Sequence, residues 1–394
     1  MIDKSLKQLI IEKEQALVSF RRTLHMHPEI AFEELETTNR IAEQLDHAGI
    51  PYKRMNPTGL LATIKGEQDG KAILLRADID ALPVEELNTH LDYRSTEQSK
   101  MHACGHDAHT SMLLTATIAL NERKEHIKGT VRILFQPAEE IAEGAQKMVE
   151  QGVMAGVDNV FGIHIWSELE SGKVSCPPGP SFAAADLLTV QFKGRGGHAA
   201  MPHQTVDAAV MASQFVSTLQ TIVSREIDPL HPAVVTIGKM EVGSRFNVIA
   251  ENALLEGTIR TFDQATRDKI ETALNQYATN IAQLYGGTAV VDYVRKTEPV
   301  VNEARSAQLV QDVAAEAFGA DVLQEEPPTM GAEDFGYYMH DIPGAFALVG
   351  AGNTEKDTRW AHHHGRFNID EDAMLIGAEL YAQYALSYLN QTKF

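Results

Sequence analysis

Apolar residues in this chain switch repeatedly between helical and strand spacing, and that alternation restricts the fold more than any other feature. From Lys4 to about Met26, residues Leu6, Leu9, Ile10, Leu17 and Phe20 recur at helical spacing until Pro28 stops the run. A second helix is predicted from about Glu34 to His47, closed by Gly49, followed by strands at Leu60 to Ile64 and Ala72 to Arg76. Helix from about Asp107 to Glu122, strand Thr130 to Phe135, helix from about Glu140 to Gln151 and apolar run Val160 to Ile165 continue the pattern. Such alternation predicts an α/β core with a mostly parallel sheet and helices on both faces.

Beyond Pro180 the texture changes. Strand Leu187 to Phe192, helix Val206 to Ser224, strands Val234 to Ile237 and Glu251 to Thr261, and helix Ala265 to Leu284 form a compact β-α-β-β-α unit. It closes as one antiparallel sheet with two helices on one face, and is read as an inserted α+β domain over 185–292. The helix Ala307 to Phe318, the strand Ala345 to Val349 and the closing helix Asp370 to Leu389 return to the first domain, which therefore comprises 1–184 and 293–394.

Composition narrows the function. The 54 acidic against 34 basic side chains leave a net charge of -20, which repels phosphate backbones and anionic membranes, so no nucleic-acid or membrane partner is expected. The opening MIDKSLKQLII lacks the basic start and apolar run of a secretory signal, and a cytoplasmic location is the default expectation. With two cysteines, Cys104 and Cys176, there is no disulfide framework. Cys176, beside two prolines, reads as a small apolar filler.

Cys104 stands in MHACGHDAH, Met101 to His109, where a cysteine, three histidines and an aspartate crowd before a helix. Thiolate and imidazole are preferred ligands of zinc-like ions, and Cys104 and His106, two residues apart, can aim to one side. The bland alternative is a polar turn capping the helix, with Asp107 as the cap. A second signal is the adjacent pair Glu139 and Glu140, at the end of the predicted strand Thr130 to Phe135, where sites of open α/β sheets collect. One carboxylate can bind a metal while the other takes a proton from water, although a solvated acidic helix start would look the same. His164 in GIHIW and the run His362, His363 and His364 complete four segments that offer ligand-type side chains.

These segments resemble the dinuclear-metal aminoacylase and carboxypeptidase-like metallopeptidases, in particular the branch of hippurate hydrolases, auxin-conjugate hydrolases and N-acetyl amino acid deacetylases. The likeness rests on RRTLHMHPEIAFEE (Arg21 to Glu34), RADIDALPV (Arg76 to Val84), MHACGHDAHTSMLL, FQPAEE, GIH, GRGGHAAMPH (Gly194 to His203), GAEDF (Gly331 to Phe335) and HHHGRFNIDE (His362 to Glu371), in that order. It implies a zinc-peptidase-like catalytic domain with a ferredoxin-like lid and dimerisation domain. It implies two divalent ions per subunit (zinc, manganese, cobalt or nickel) on Cys104, His106, Glu140, His164 and His363, with Glu139 as general base. Asp80 resembles a residue that orients a ligand. His198 resembles the histidine that polarises the scissile carbonyl, often from a partner subunit, and Asn247 and Arg260 resemble substrate-holding residues. This branch usually has proline where Gly365 follows the three histidines, so a neighbour of His363 is an alternative ligand.

The expected activity is hydrolysis of small N-acyl amino acids to a carboxylate and a free amino acid, by a homodimer or higher homo-oligomer. A dipeptidase, or a short-peptide carboxypeptidase or aminopeptidase, would use the same dinuclear site. A non-catalytic metal-binding assembly protein is the alternative of another class, and the Glu139 and Glu140 pair speaks against it.

Overall fold

The structure is a computed structural model that describes residues 2–391. Packing divides the chain into two compact units, one formed by 1–181, 301–327 and 337–394, the other by 182–300 and 328–336.

The first unit is built on a seven-stranded mixed sheet. Its centre is four parallel strands in the order Lys128–Gln136, Gln68–Asp78, Asn159–Glu170, Gly344–Gly352. Antiparallel strands Leu60–Lys65 and Tyr52–Arg54 extend one edge and Val174–Ser175 the other. All nine residues of Gly344–Gly352 are buried, as a strand covered on both faces requires. The helix His106–Asn121 packs against helix Ala373–Asn390 and strand Gln68–Asp78, and most of its residues are buried. Among the described residues no helix is long and apolar enough to cross a membrane.

Three expectations are corrected here. The first predicted helix is two, Lys4–Glu12 and Glu14–Met26, because Lys13 leaves helical geometry with ψ near 2°. The helix expected from Glu140 begins only at Gly144, as Gly144–Glu150. Residues 138–142 instead form a turn with Ala138 (φ 58°) and Ala142 (φ 55°) in left-handed conformations. In the second unit a further strand, Thr288–Arg295, pairs antiparallel with Ala184–Lys193 and completes a β-α-β-β-α-β pattern across the expected boundary at 292.

That unit's four-stranded antiparallel sheet runs Ala233–Val242, Asn252–Thr261, Ala184–Lys193, Thr288–Arg295. Asp186, Leu188, Val190 and Phe192 are buried, alternating with more accessible residues, and helices Ala208–Thr221 and Gln264–Tyr285 cover the buried face. One charged group is locked inside. Arg267, 0% exposed, donates Nε–H to Asp186 Oδ2 at 2.9 Å, pairs through Nη2 with Oδ1, and donates to the Thr297 carbonyl at 2.9 Å. Arg267→Met would leave the Asp186 carboxylate, itself 1% exposed, without its balancing charge and with the Tyr293 hydroxyl as a remaining donor, and should cost about 3–5 kcal/mol. Denaturant unfolding of the variant checks this. A loss under about 1 kcal/mol, the scale of a surface pair, would contradict the stated role.

Candidate metal centre

The site lies at the carboxyl ends of the parallel strands of the first unit. Asp78 ends Gln68–Asp78, Asp80 follows it, Glu139 and Glu140 follow Lys128–Gln136, and His164 stands in Asn159–Glu170. Cys104 precedes the buried helix His106–Asn121, separated by Gly105 at φ 91°. A Cβ at Gly105 would also meet Ile165 Cγ2 at 2.4 Å, so glycine is required to bring Cys104 and His106 to one point. The helix start is anchored by Asp107, which forms an ion pair with Arg21 (Nε to Oδ2, 2.8 Å) and bonds His25 Nδ1 at 2.7 Å, all three side chains fully buried. Burial opposes charge on Asp107, but Arg21 and His25 outweigh it and hold the carboxyl well below the usual carboxylate range. Asp107 is thus a buried anchor inside the first turn and not the cap of the bland alternative, a position that Gly105 takes.

Donor atoms of Cys104, His106 and Glu140 lie within 4.8 Å of one another, as do those of Cys104, His164 and His362. The Cys104 sulfur belongs to both groups, within reach of His106 and Glu140 and also of His164. His106 Nε2 is 3.7 Å from Glu140 Oε1, and His363 Nε2 is 3.4 Å from Glu140 Oε2. Cys104, His106 and His164 are buried, Glu140 is part-buried beside them, and His363 reaches Glu140 from a more exposed loop.

Hydrogen bonds decide which ring nitrogens remain bare. His164 Nδ1 donates to the Ile165 carbonyl at 2.6 Å, leaving Nε2 as an acceptor 3.5 Å from Cys104 Sγ. Burial and the neighbouring His109 and His362 hold His164 well below the ordinary histidine range, so it is neutral. His109 also sits among the ligand-type groups, but its Nε2 accepts the Ile165 amide at 2.8 Å and its Nδ1 donates to Asp78 at 2.6 Å. Both nitrogens are spent, so His109 supports the site from behind. His362 is similar. Its Nε2 accepts the Ser167 amide at 3.3 Å, which puts its proton on Nδ1, the nitrogen 3.7 Å from Cys104 Sγ. His363, in contrast, turns Nε2 toward Glu140 from a backbone at φ 65°.

The electrostatics fit a cation. His106 Nε2 and Glu140 Oε1 are buried with no hydrogen-bond partner. Burial opposes a charge on His106, yet Asp78, Asp80 and Glu140 outweigh it and push the imidazole up to about 10. Burial pushes the Glu140 carboxyl up to about 7 against the pull of His106. A pocket that favours a proton on an imidazole and disfavours charge on a carboxylate is short of positive charge, which a cation held by these atoms would supply.

Asp80 ties the two halves together. Its Oδ1 lies 3.3 Å from His106 Nδ1, and its oxygens accept the amides of Glu139 (3.1 Å) and Glu140 (3.0 Å). Asp78, not anticipated from the sequence, approaches both His109 and His106 and pairs with buried Arg76 at 2.6 Å. Its place two residues before Asp80 on the same strand end was the available signal.

The other expected residues lie in the second unit. His198 pairs in a short ladder with Val248, beside Asn247, whose carbonyl accepts the Ala199 amide. The Ala200 amide donates to His198 Nδ1 at 3.1 Å, so the neutral ring carries its proton on Nε2. Arg260 is not brought to them. It stands near the far end of Asn252–Thr261, half-buried, and donates to Thr258 Oγ1 and the Ile259 carbonyl.

Thiol, imidazole and carboxyl groups converging at the ends of a parallel sheet, with a second glutamate alongside, define a metal-dependent hydrolase. Residues 74–387 match the model of the peptidase family M20/M25/M40. An N-acetylcysteine deacetylase of Bacillus subtilis is 39% identical over 96% of this chain and 98% of its own. An IAA-amino acid hydrolase of Arabidopsis thaliana is 37% identical over 96% of this chain and 86% of its own. Among solved structures, the YXEP protein of Bacillus subtilis, described as a dinuclear metal-binding peptidase of the M20 family, superposes with a TM-score of 0.84 at 35% identity, over 98% of this chain and 99% of that one. The chain belongs to the peptidase family M20/M25/M40 and is a metal-dependent amidohydrolase.

Proposed function

We propose that the protein hydrolyses the amide bond of small N-acyl amino acids, releasing a carboxylate and the free amino acid. The observation that carries this reading is the Cys104 sulfur within reach of His106, Glu140 and His164, with Glu139 adjacent in sequence to Glu140. The ligands are Cys104, His106, Glu140, His164 and His363, a mixed set that several divalent metals accept. When bound, two such ions lower the pKa of water and polarise a carbonyl.

Glu139 takes a proton from the attacking water and passes it to the nitrogen as the carbon–nitrogen bond breaks. His198, with its proton on Nε2, donates to the carbonyl oxygen as negative charge gathers there. Arg260 pairs with the carboxylate of the amino-acid half, and the Asn247 amide holds the substrate. Asn252 and Arg260 are separated by eight residues of strand, about 25 Å at the usual rise. His198 and Asn247 lie beyond the Asn252 end, a span longer than a small substrate. This separation supports a homodimer in which His198 with Asn247, and Arg260, of one chain serve different copies of the site.

Two relatives that differ in acyl group, a deacetylase and an IAA-amino acid hydrolase, support an acyl amino acid as substrate. The test is a panel of N-acetyl amino acids, hippurate-like aryl amides and dipeptides with the metal-reconstituted protein. Higher kcat/KM on N-acyl amino acids is expected. Preference for dipeptides would replace this reading with the peptidase alternative, and inertness toward every amide would revive the assembly-protein one.

A further inference from the structure

Three consecutive amides at the site point at carboxylates. Those of Glu139 and Glu140 donate to Asp80, and that of Ala138 donates to Glu34 Oε1 at 2.9 Å. Glu34 comes from the other end of the fold's first half, directly before helix Leu35–His47, and is 0% exposed. Its second oxygen accepts the Thr58 hydroxyl at 2.6 Å. Its own carbonyl accepts the Thr38 hydroxyl, which in turn accepts the Gly59 amide. The carboxylate is therefore held in one orientation by groups from two further segments.

We propose that Glu34 positions the general base: by holding the Ala138 amide it keeps the 138–140 turn in the conformation that presents Glu139. Ala138 has a Cβ and stands at φ 58°, a backbone state that only a strong local constraint maintains. The left-handed residue reverses the chain between strand Lys128–Gln136 and the Glu139–Glu140 pair. Asp80 acts after that reversal, on the next two amides, and cannot enforce it. Without Glu34 a buried amide loses its acceptor, Ala138 relaxes toward negative φ, and Glu139 is displaced. A misplacement near 1 Å costs about 10²-fold in rate. Burial pushes the Glu34 carboxyl up to about 7, so keeping an acid there has a cost that packing alone does not explain.

The inference rests on Glu139 being the base, and the experiment separates the two. Glu34→Ala, Glu34→Gln, Thr58→Val and Glu139→Gln are made in the full chain, reconstituted with metal, and compared for kcat, KM and metal per chain on the best N-acyl amino acid of the panel. Glu34→Ala is expected to lower kcat about 10- to 100-fold with KM and metal content unchanged. Glu34→Gln keeps an acceptor for the Ala138 amide and offers its NH2 to the Thr58 oxygen, so it should restore kcat to within about threefold of the parent. Unchanged kcat in Glu34→Ala, a loss that tracks metal loss, or failure of glutamine to restore it overturns the positioning role. If Glu34→Ala does not fold, Thr58→Val, which keeps the volume and removes only the orienting hydroxyl, decides: a several-fold lower kcat supports the role and parental kcat overturns it. Parental turnover in Glu139→Gln removes the base itself and the inference with it, whereas a dead Glu139→Gln beside a fully active Glu34→Ala removes only the inference.

Discussion

Glu139→Gln is expected to retain its metal and lose turnover by about 10²-fold or more, the usual scale for removing a general base. The substitution is nearly isosteric and leaves the backbone amide on Asp80 untouched, so the turn and the neighbouring Glu140 stay in place. What disappears is an oxygen able to accept a proton from water and release it to the departing nitrogen. Metal per chain, measured alongside kcat, makes the result specific. Loss of both would move Glu139 among the ligands, and turnover equal to the parent would remove it from the mechanism.

Cys104→Ala should have the larger effect on binding, because one sulfur stands in both groups of candidate ligand atoms. Its loss should weaken metal retention by more than the roughly 10–100-fold that removing an outer supporting residue costs. Two histidine variants sharpen the result. His363→Ala should lower metal content, since its Nε2 faces Glu140. His362→Leu should not, since the Ser167 amide already occupies its Nε2 and its other nitrogen carries the proton. Metal analysis after dialysis reads all three. A full complement in Cys104→Ala would sink the shared-thiolate arrangement, and metal loss in His362→Leu with retention in His363→Ala would exchange the two histidines.

Much of this site was legible because its chemistry is concentrated in short segments. MHACGHDAH, FQPAEE and GIHIW each announce ligand-type groups at a strand end or helix start, and five of the side chains they and the histidine run supply do come together in the first unit. Other features had no local signature. Residues 138–143 carry good helix formers and an acidic start, yet form a turn, because carboxylates 104 and about 60 positions away capture their amides. Thr288–Arg295 did carry a readable period-two pattern in Ala289, Val291 and Tyr293, which pack on the second unit's core. Its proximity to the long preceding helix hid it.

Residue order alone dictates which segments prefer helix or strand and which side chains are able to hold a cation, since both are properties of local spacing and side-chain chemistry. Whether a particular histidine serves as ligand or support depends on which of its two nitrogens a distant backbone group has already claimed. His109 and His362 look like ligands in the chain and are spent in the fold by the amides of Ile165 and Ser167. Those bonds exist only after strand Asn159–Glu170 is laid beside the helix and the closing loop. The physical reason is that a lone pair can serve one strong donor or one cation, and folding assigns it.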